Sequence, residues 1–109
     1  MPPLRIALIG AGGIGRAHLT AWRSVPGAEI VAVVDTDPAR SQAAAEGLGA
    51  RAFDAVLPML DAIRPDAVDI CTPPVAHRAP AEAALAAGAH VLCEKPLADT
   101  PGDARVIVD

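Results

Sequence analysis

A chain of 109 residues can bury one hydrophobic core and is too short for two. Its hydrophobic fraction of 52% rests on Ala, Val, Ile and Leu, with one Phe, one Trp and no Tyr, so the aromatic platforms on which bases stack are missing. With nine basic residues scattered along a chain of net charge −4, no basic stripe exists for a phosphate backbone, and nucleic acid is excluded as a partner.

No stretch approaches the roughly 18 to 20 uncharged apolar residues of a membrane span. The segment from Met1 to Ile14 carries a single charge, Arg5, before a short apolar run broken by glycines, which is not the pattern of a secretory leader. A cytoplasmic location without a membrane partner is expected. Cys71 and Cys93 lie in apolar strand-like runs without the paired spacing of a zinc or C-x-x-C motif, and read as buried thiols in a reducing compartment; no metal is expected.

Arg5 to Gly10 reads as a strand buried on both faces, because Ile6, Ala7, Leu8 and Ile9 are apolar without alternation. The pattern after Gly15 is helical, expected to bury Ala17, Ala21 and Trp22 or their neighbours and to stop at Pro26-Gly27. Ala28 to Asp35 is a second buried strand. Asp37-Pro38 is an N-cap followed by proline at the first helical position, opening a helix from Ala39 to Glu46 that ends at Gly47 or Gly49. A short third strand covers Arg51 to Phe53. Asp54 reads as the next cap, for a helix from Val56 to Ile63 with Pro58 in its first turn. Ala67 to Thr72 is a fourth strand, Pro73-Pro74 a rigid loop, Arg78 to Ala87 a helix closed by Gly88, and His90 to Glu94 a fifth strand. Thr100-Pro101 offers a start for one more helix.

Strands alternating with helices at this rhythm predict an α/β doubly wound, mostly parallel sheet of about five strands in the order 3-2-1-4-5, with right-handed crossovers. In such a sheet ligands sit at the carboxyl ends of the strands beside the switch point. Gly10 to Gly15, Asp35, Thr72 to Pro74 and Glu94 to Pro96 all fall at that edge.

The run Gly10-Ala11-Gly12-Gly13-Ile14-Gly15 is a G-x-G-x-x-G between a strand and a helix, with Asp35 closing the next strand 20 residues beyond Gly15. Together these form a dinucleotide fingerprint. Gly10 permits the tight exit from the strand. Gly12, with Gly13 as a second bare position, lets the backbone approach a pyrophosphate, and Gly15 lets the helix pack close to the sheet. The helix start presents unpaired N–H groups and a positive dipole end to the phosphates. Asp35 is placed to accept hydrogen bonds from the adenosine ribose. A 2′-phosphate there would meet like charge, so NAD is favoured over NADP. The competing reading of Asp35 is a strand-end residue capping the turn Thr36-Asp37. Arg40 is within reach of the same region as a cofactor contact, against the plainer reading of an exposed helix Arg.

The fingerprint, Asp35, Thr72-Pro73-Pro74 with His77, and the run HVLCEKPLA from His90 to Ala98 resemble the amino-terminal domain of the Gfo/Idh/MocA oxidoreductases, relatives of glucose-fructose oxidoreductase and inositol dehydrogenase. The likeness covers nearly the whole chain. Glu94-Lys95-Pro96 after the fifth strand is its specific part. The resemblance implies a Rossmann-type nucleotide-binding domain with Lys95 as the catalytic residue, hydrogen-bonded to the substrate hydroxyl or carbonyl beside the nicotinamide. Glu94 and Pro96 would shape the cofactor edge, Thr72 and Pro73 would line the nicotinamide side, and His77 would lie near the cofactor. Pro74 stands where many relatives carry Asn. A lysine at a strand end facing a pocket loses charge stabilisation on desolvation, which suits it to proton exchange.

On that resemblance, residues 1–109 are expected to make up one dinucleotide-binding domain, truncated at its carboxyl end, without the second domain that supplies substrate contacts in that family. Hydride transfer needs the substrate held against the nicotinamide. The expectation is therefore nicotinamide dinucleotide binding with little or no turnover by this chain alone, a small-molecule substrate entering only with a second domain. The fifth strand, left as an edge, is expected to promote self-association or reliance on a partner. The alternatives are a non-catalytic nucleotide-binding module and an inactive fragment.

Overall fold

The computed structural model describes residues 2–72 and 78–93, apart from the side chains of residues 78 and 93. The elements run β1 (Leu4–Ile9), α1 (Gly13–Arg23), β2 (Ala28–Val34), α2 (Pro38–Ala45), β3 (Arg51–Phe53), α3 (Val56–Ile63), β4 (Ala67–Ile70), α4 (Arg78–Ala86) and β5 (His90–Cys93). The five strands form one sheet in the order β3-β2-β1-β4-β5, every pair parallel, as the strand–helix alternation predicts.

The central strands are apolar throughout because both of their faces are covered. One face, with α3 and α4, packs Ala7, Ile9, Ala32, Val34, Val68 and Ile70 around the fully buried Met59 and the small Ala81 and Ala84. The other, with α1 and α2, packs Ile6, Leu8, Ile30, Val33, Ala67 and Cys71 around Leu19 and Ala45. Ile6 pairs with Ile30 but Ala7 with Ala32, so Val31 is an extra residue in β2. This bulge lets Ile30 and Val33, three apart, share a face, which strict alternation forbids.

Turn chemistry places most boundaries. Asp37 caps α2 through a 3.0 Å hydrogen bond from the Ala39 N–H to its Oδ1, with Pro38 at the first helical position. Gly47 follows α2 at φ +79. After α4 the Ala89 N–H donates to the Ala84 carbonyl and the Gly88 N–H to that of Leu85, a Schellman closure with Gly88 at φ +83.

Three expectations are corrected. Asp54 does not cap α3: the cap position is Ala55, without a side-chain hydrogen bond. In α1 the buried residues are Gly15 and Leu19, Trp22 and His18 are half-buried, and Ala17 and Ala21 are exposed. The inward stripe is 15-18-19-22, one residue on from the alanines, because a buried polar partner beneath the helix draws His18 inward. The fourth strand ends at Ile70 rather than Thr72, although the Cys71 N–H still donates to the Ile9 carbonyl at 2.7 Å. Among the described residues no helix is long and apolar enough to cross a membrane.

Candidate functional site

A cleft of about 780 Å³ opens at the carboxyl ends of β1, β2 and β4, at the switch point of the sheet. Gly10, Gly12, Gly13, Ile14, Asp35, Arg40 and Thr72 all line it. Three segments distant in sequence therefore meet there, as the chain order predicts. Asp54, Ala55, Val56 and Pro80 also line it, and nothing in the sequence marked them as part of a site. They belong to the loop after β3 and to helix starts, whose composition is unremarkable until the fold brings them round.

Each fingerprint glycine has its own physical reason. Gly10 has φ +97, and a Cβ there would lie 2.8 Å from the Cys71 carbonyl carbon and 2.9 Å from the Thr72 nitrogen. Only a bare residue lets β1 turn away against the end of β4. A Cβ on Gly15 would overlap the Gly10 carbonyl oxygen, so α1 rests directly on the turn that precedes it. At Gly12 and Gly13 a Cβ would meet nothing within 4 Å. Their bareness leaves a concavity facing the cleft rather than easing internal packing. Gly12 is the cap of α1 and no side chain caps the helix, so the first-turn N–H groups of Gly13, Ile14 and Gly15 lack intrahelical partners. No acidic residue lies in that turn to neutralise the positive helix end. Exposed donors, a dipole end and bare backbone fit an anionic group of pyrophosphate size.

Asp35 is bound at both oxygens. Oδ2 accepts from the Ala11 N–H at 2.8 Å, and Oδ1 from the Asp37 N–H at 2.9 Å. The first bond ties the end of β2 to the glycine turn, and the second caps the turn into α2. Both readings of Asp35 thus meet in one side chain: each oxygen has a lone pair left for a ligand hydroxyl. Arg40 is exposed and lies 3.7 Å from the Asp37 carboxylate through Nε, so its charge is partly answered within the loop. Ile14, 55% exposed, stands beside the cradle. Thr72 is half-buried at its far wall. Pro73, Pro74, His77, Glu94, Lys95 and Pro96 lie outside the described residues.

Sequence reasoning missed a polar cluster beneath α1. Asp69 is 2% exposed in the middle of β4. Its Oδ2 stands 2.6 Å from His18 Nδ1 and accepts from Trp22 Nε1 at 2.8 Å, while the Cys71 thiol donates weakly to Oδ1 at 3.6 Å. Because Oδ2 already accepts from the indole, the imidazole Nδ1 is the second donor. Cys71 is buried as expected, yet polar in its contacts. The ligand atoms of His18, Asp69 and Cys71 lie within 4.8 Å of one another. Two ligands about 2.0 Å from one tetrahedral ion stand roughly 3.3 Å apart. The His18–Asp69 separation of 2.6 Å is shorter than that and is a direct hydrogen bond. The signal available in sequence was an acid inside an otherwise apolar strand, AVDI, four residues after the strand's own leading Pro65.

Residues 4–109 match the family model of the Gfo/Idh/MocA oxidoreductases, described as an NAD-binding Rossmann fold. Among curated relatives, a D-apiose dehydrogenase of Paraburkholderia graminis is 46% identical over 94% of this chain and 28% of its own length. A D-glucoside 3-dehydrogenase of Escherichia coli is 42% identical over 98% of the chain and 31% of its own length. Among solved structures, the WlbA dehydrogenase of Bordetella pertussis, in complex with NADH and UDP-GlcNAcA, superposes with a TM-score of 0.90 at 36% identity, over 97% of this chain and 33% of that one. The chain thus spans about 30% of the length of the relatives it matches. The glycine cradle, the tethered Asp35, the sheet order and these likenesses agree: the chain belongs to the Gfo/Idh/MocA oxidoreductase family and forms its NAD-binding Rossmann domain.

Proposed function

We propose that this chain binds NAD(H) in the cleft, in preference to NADP(H), as the nucleotide-binding part of a dehydrogenase acting on a sugar, a cyclitol or a related hydroxyl compound. The observation that carries the reading is Asp35, held by Ala11 and Asp37 with one acceptor site left on each oxygen, beside a bare Gly12-Gly13 concavity. The pyrophosphate would lie over the start of α1, met by the N–H groups of Gly13, Ile14 and Gly15. The adenosine ribose hydroxyls would donate to Asp35. A 2′-phosphate would face the carboxylates of both Asp35 and Asp37, and Arg40, already near Asp37, offers it incomplete compensation.

When bound, the nicotinamide accepts or donates the hydride. The chain's own part is to hold the cofactor and, by family likeness, to move a proton at Lys95 Nζ next to the substrate oxygen. Glu94, Pro96, Thr72, Pro73 and His77 are proposed to shape the nicotinamide edge. The substrate class rests on relatives whose names specify D-apiose, D-glucoside and inositol dehydrogenation. Since the chain spans about 30% of their length, turnover is proposed to need substrate contacts from outside these 109 residues.

The test is a titration with NADH and NADPH, read by reduced-nicotinamide fluorescence and by quenching of Trp22. NADH should bind, with NADPH weaker by roughly a hundredfold, since like charges in contact cost several kcal/mol. Asp35→Ala should weaken NADH and narrow that gap. Equal binding of the two cofactors would overturn the preference, and failure to bind either would overturn the reading.

A further inference from the structure

The acid in β4 does not line the cleft, and it is an expensive residue to place in a buried strand. Ala67, Val68 and Ile70 around it are buried and apolar, and an apolar residue at 69 would pack without needing partners. Instead its Oδ2 takes donors from two residues one turn apart on α1, His18 and Trp22, both within 2.8 Å. We propose that Asp69 is a positioning residue for the cofactor site: by holding His18 and Trp22 it fixes the rotation of α1 on the sheet, and with it the direction in which the first-turn N–H groups meet the pyrophosphate. This inference rests on the reading that the cleft holds a dinucleotide.

The two ends of α1 need different constraints. Near the cradle, Gly15 sits on the Gly10 carbonyl, which sets how closely the helix approaches but, lacking a side chain, not how it is turned. Apolar packing of Leu19 against the sheet is non-directional and tolerates rotation. Two short directional hydrogen bonds to one buried oxygen do not, since a step of one residue swings a helical side chain by about 100°. His18 lies five residues beyond Gly13, or about 7.5 Å along the axis, so a rotation at His18 reaches the cradle N–H groups through a rigid turn and a half. The placement of these donors matters because a charge-assisted hydrogen bond to phosphate depends on its alignment.

The experiment separates the two halves of the ligand. ADP-ribose carries the pyrophosphate; adenosine carries only the part assigned to Asp35. Both are titrated calorimetrically into the chain and into Asp69→Leu and Trp22→Phe, the latter removing one N–H donor while keeping an aromatic body. The expected result is ADP-ribose affinity lowered about tenfold in Asp69→Leu and about threefold in Trp22→Phe, with adenosine held within about twofold. If Asp69→Leu fails to fold, Trp22→Phe decides. A purely structural Asp69 would lower the unfolding temperature and leave both affinities of the folded variants unchanged, and that result overturns the proposal. So does equal weakening of both ligands. A parent chain that binds neither ligand overturns the dinucleotide reading and this inference with it, whereas a parent that binds both beside variants that match it overturns only the inference.

Discussion

The two faces of the sheet solve the same packing problem with different chemistry. Under α3 and α4 the described buried residues are apolar without exception, and the helices meet the strands through Met59, Leu60, Ala81 and Ala84. Under α1 and α2 the core is interrupted by Asp69, by the inward His18 and Trp22, and by a helix resting on bare backbone at Gly15. An apolar interface is non-directional and supplies stability; a hydrogen-bonded one adds orientation at some cost in desolvation. The side that carries the cofactor cradle is the side that carries the directional contacts. The comparison predicts that damage to the two faces separates into two phenotypes, loss of stability alone and loss of stability with loss of binding.

The largest effect is expected at Gly15→Ala. Its Cβ would overlap the Gly10 carbonyl, a backbone atom that cannot swing aside, so α1 must lift from β1. We expect a loss of about 4 kcal/mol or more, a large fraction of the 5–15 kcal/mol typical of a domain, together with loss of NADH binding. Denaturant unfolding and NADH fluorescence check both. A well-folded variant with unchanged affinity would show that α1 does not depend on that contact. Met59→Ala is its counterpart on the apolar face. The side chain is fully buried between α3 and the sheet, and truncation should cost about 3 kcal/mol. NADH affinity of the folded fraction should stay at the parental value. A fall in affinity comparable to that in Asp69→Leu would abolish the distinction between the faces.

Much of this was legible in the chain, and the reasons are local. Unbroken apolar runs such as Ile6–Ile9 appear when both sides of a strand are covered, and Asp37-Pro38, Gly47 and Gly88 mark helix ends through their own dihedral preferences. The fingerprint and Asp35 were readable because a pyrophosphate cradle needs bare backbone at fixed spacing. What escaped were relations between distant residues. The stripe of α1 was displaced by one residue because His18 reads as polar until its partner 51 positions away is known. The bulge at Val31 leaves no mark in a strand without apolar–polar alternation from Ile30 to Val34. Asp54 is not the cap because the helix, beginning at Val56 as the sequence predicts, takes Ala55 as its cap position, and Asp54 lines the cleft instead. That Asp35 is tethered to Ala11 also follows only from the pairing of β1 with β2.

The polar face also contains the turn from β2 into α2, where Asp37→Ala removes the acceptor for the Ala39 N–H. A lost helix cap costs about 1 kcal/mol. The Asp37 N–H, a backbone group, would still donate to Asp35, so NADH affinity should change little while NADPH binds somewhat better for want of one negative charge. Unfolding curves and paired NADH and NADPH titrations would show it. A large loss of NADH binding would mean that the Asp37 carboxylate, and not only its N–H, sets the Asp35 geometry.

The smallest expected effect lies at the opposite edge of the sheet, where the strands begin. Arg64 ends α3 with φ 50, the only described non-glycine residue in the left-handed region. Such a conformation costs a non-glycine residue about 1–2 kcal/mol, whereas glycine adopts it freely and instead loses about 0.5–1 kcal/mol to the entropy of the unfolded chain. Arg64→Gly should therefore stabilise the protein by roughly 0.5 kcal/mol. The Arg64 carbonyl, which accepts from the Arg5 guanidinium at 2.9 Å, is retained in the variant. Because this turn lies away from the cleft, NADH affinity should not move. A destabilised Arg64→Gly would show that the arginine side chain itself contributes to closing α3 against β4.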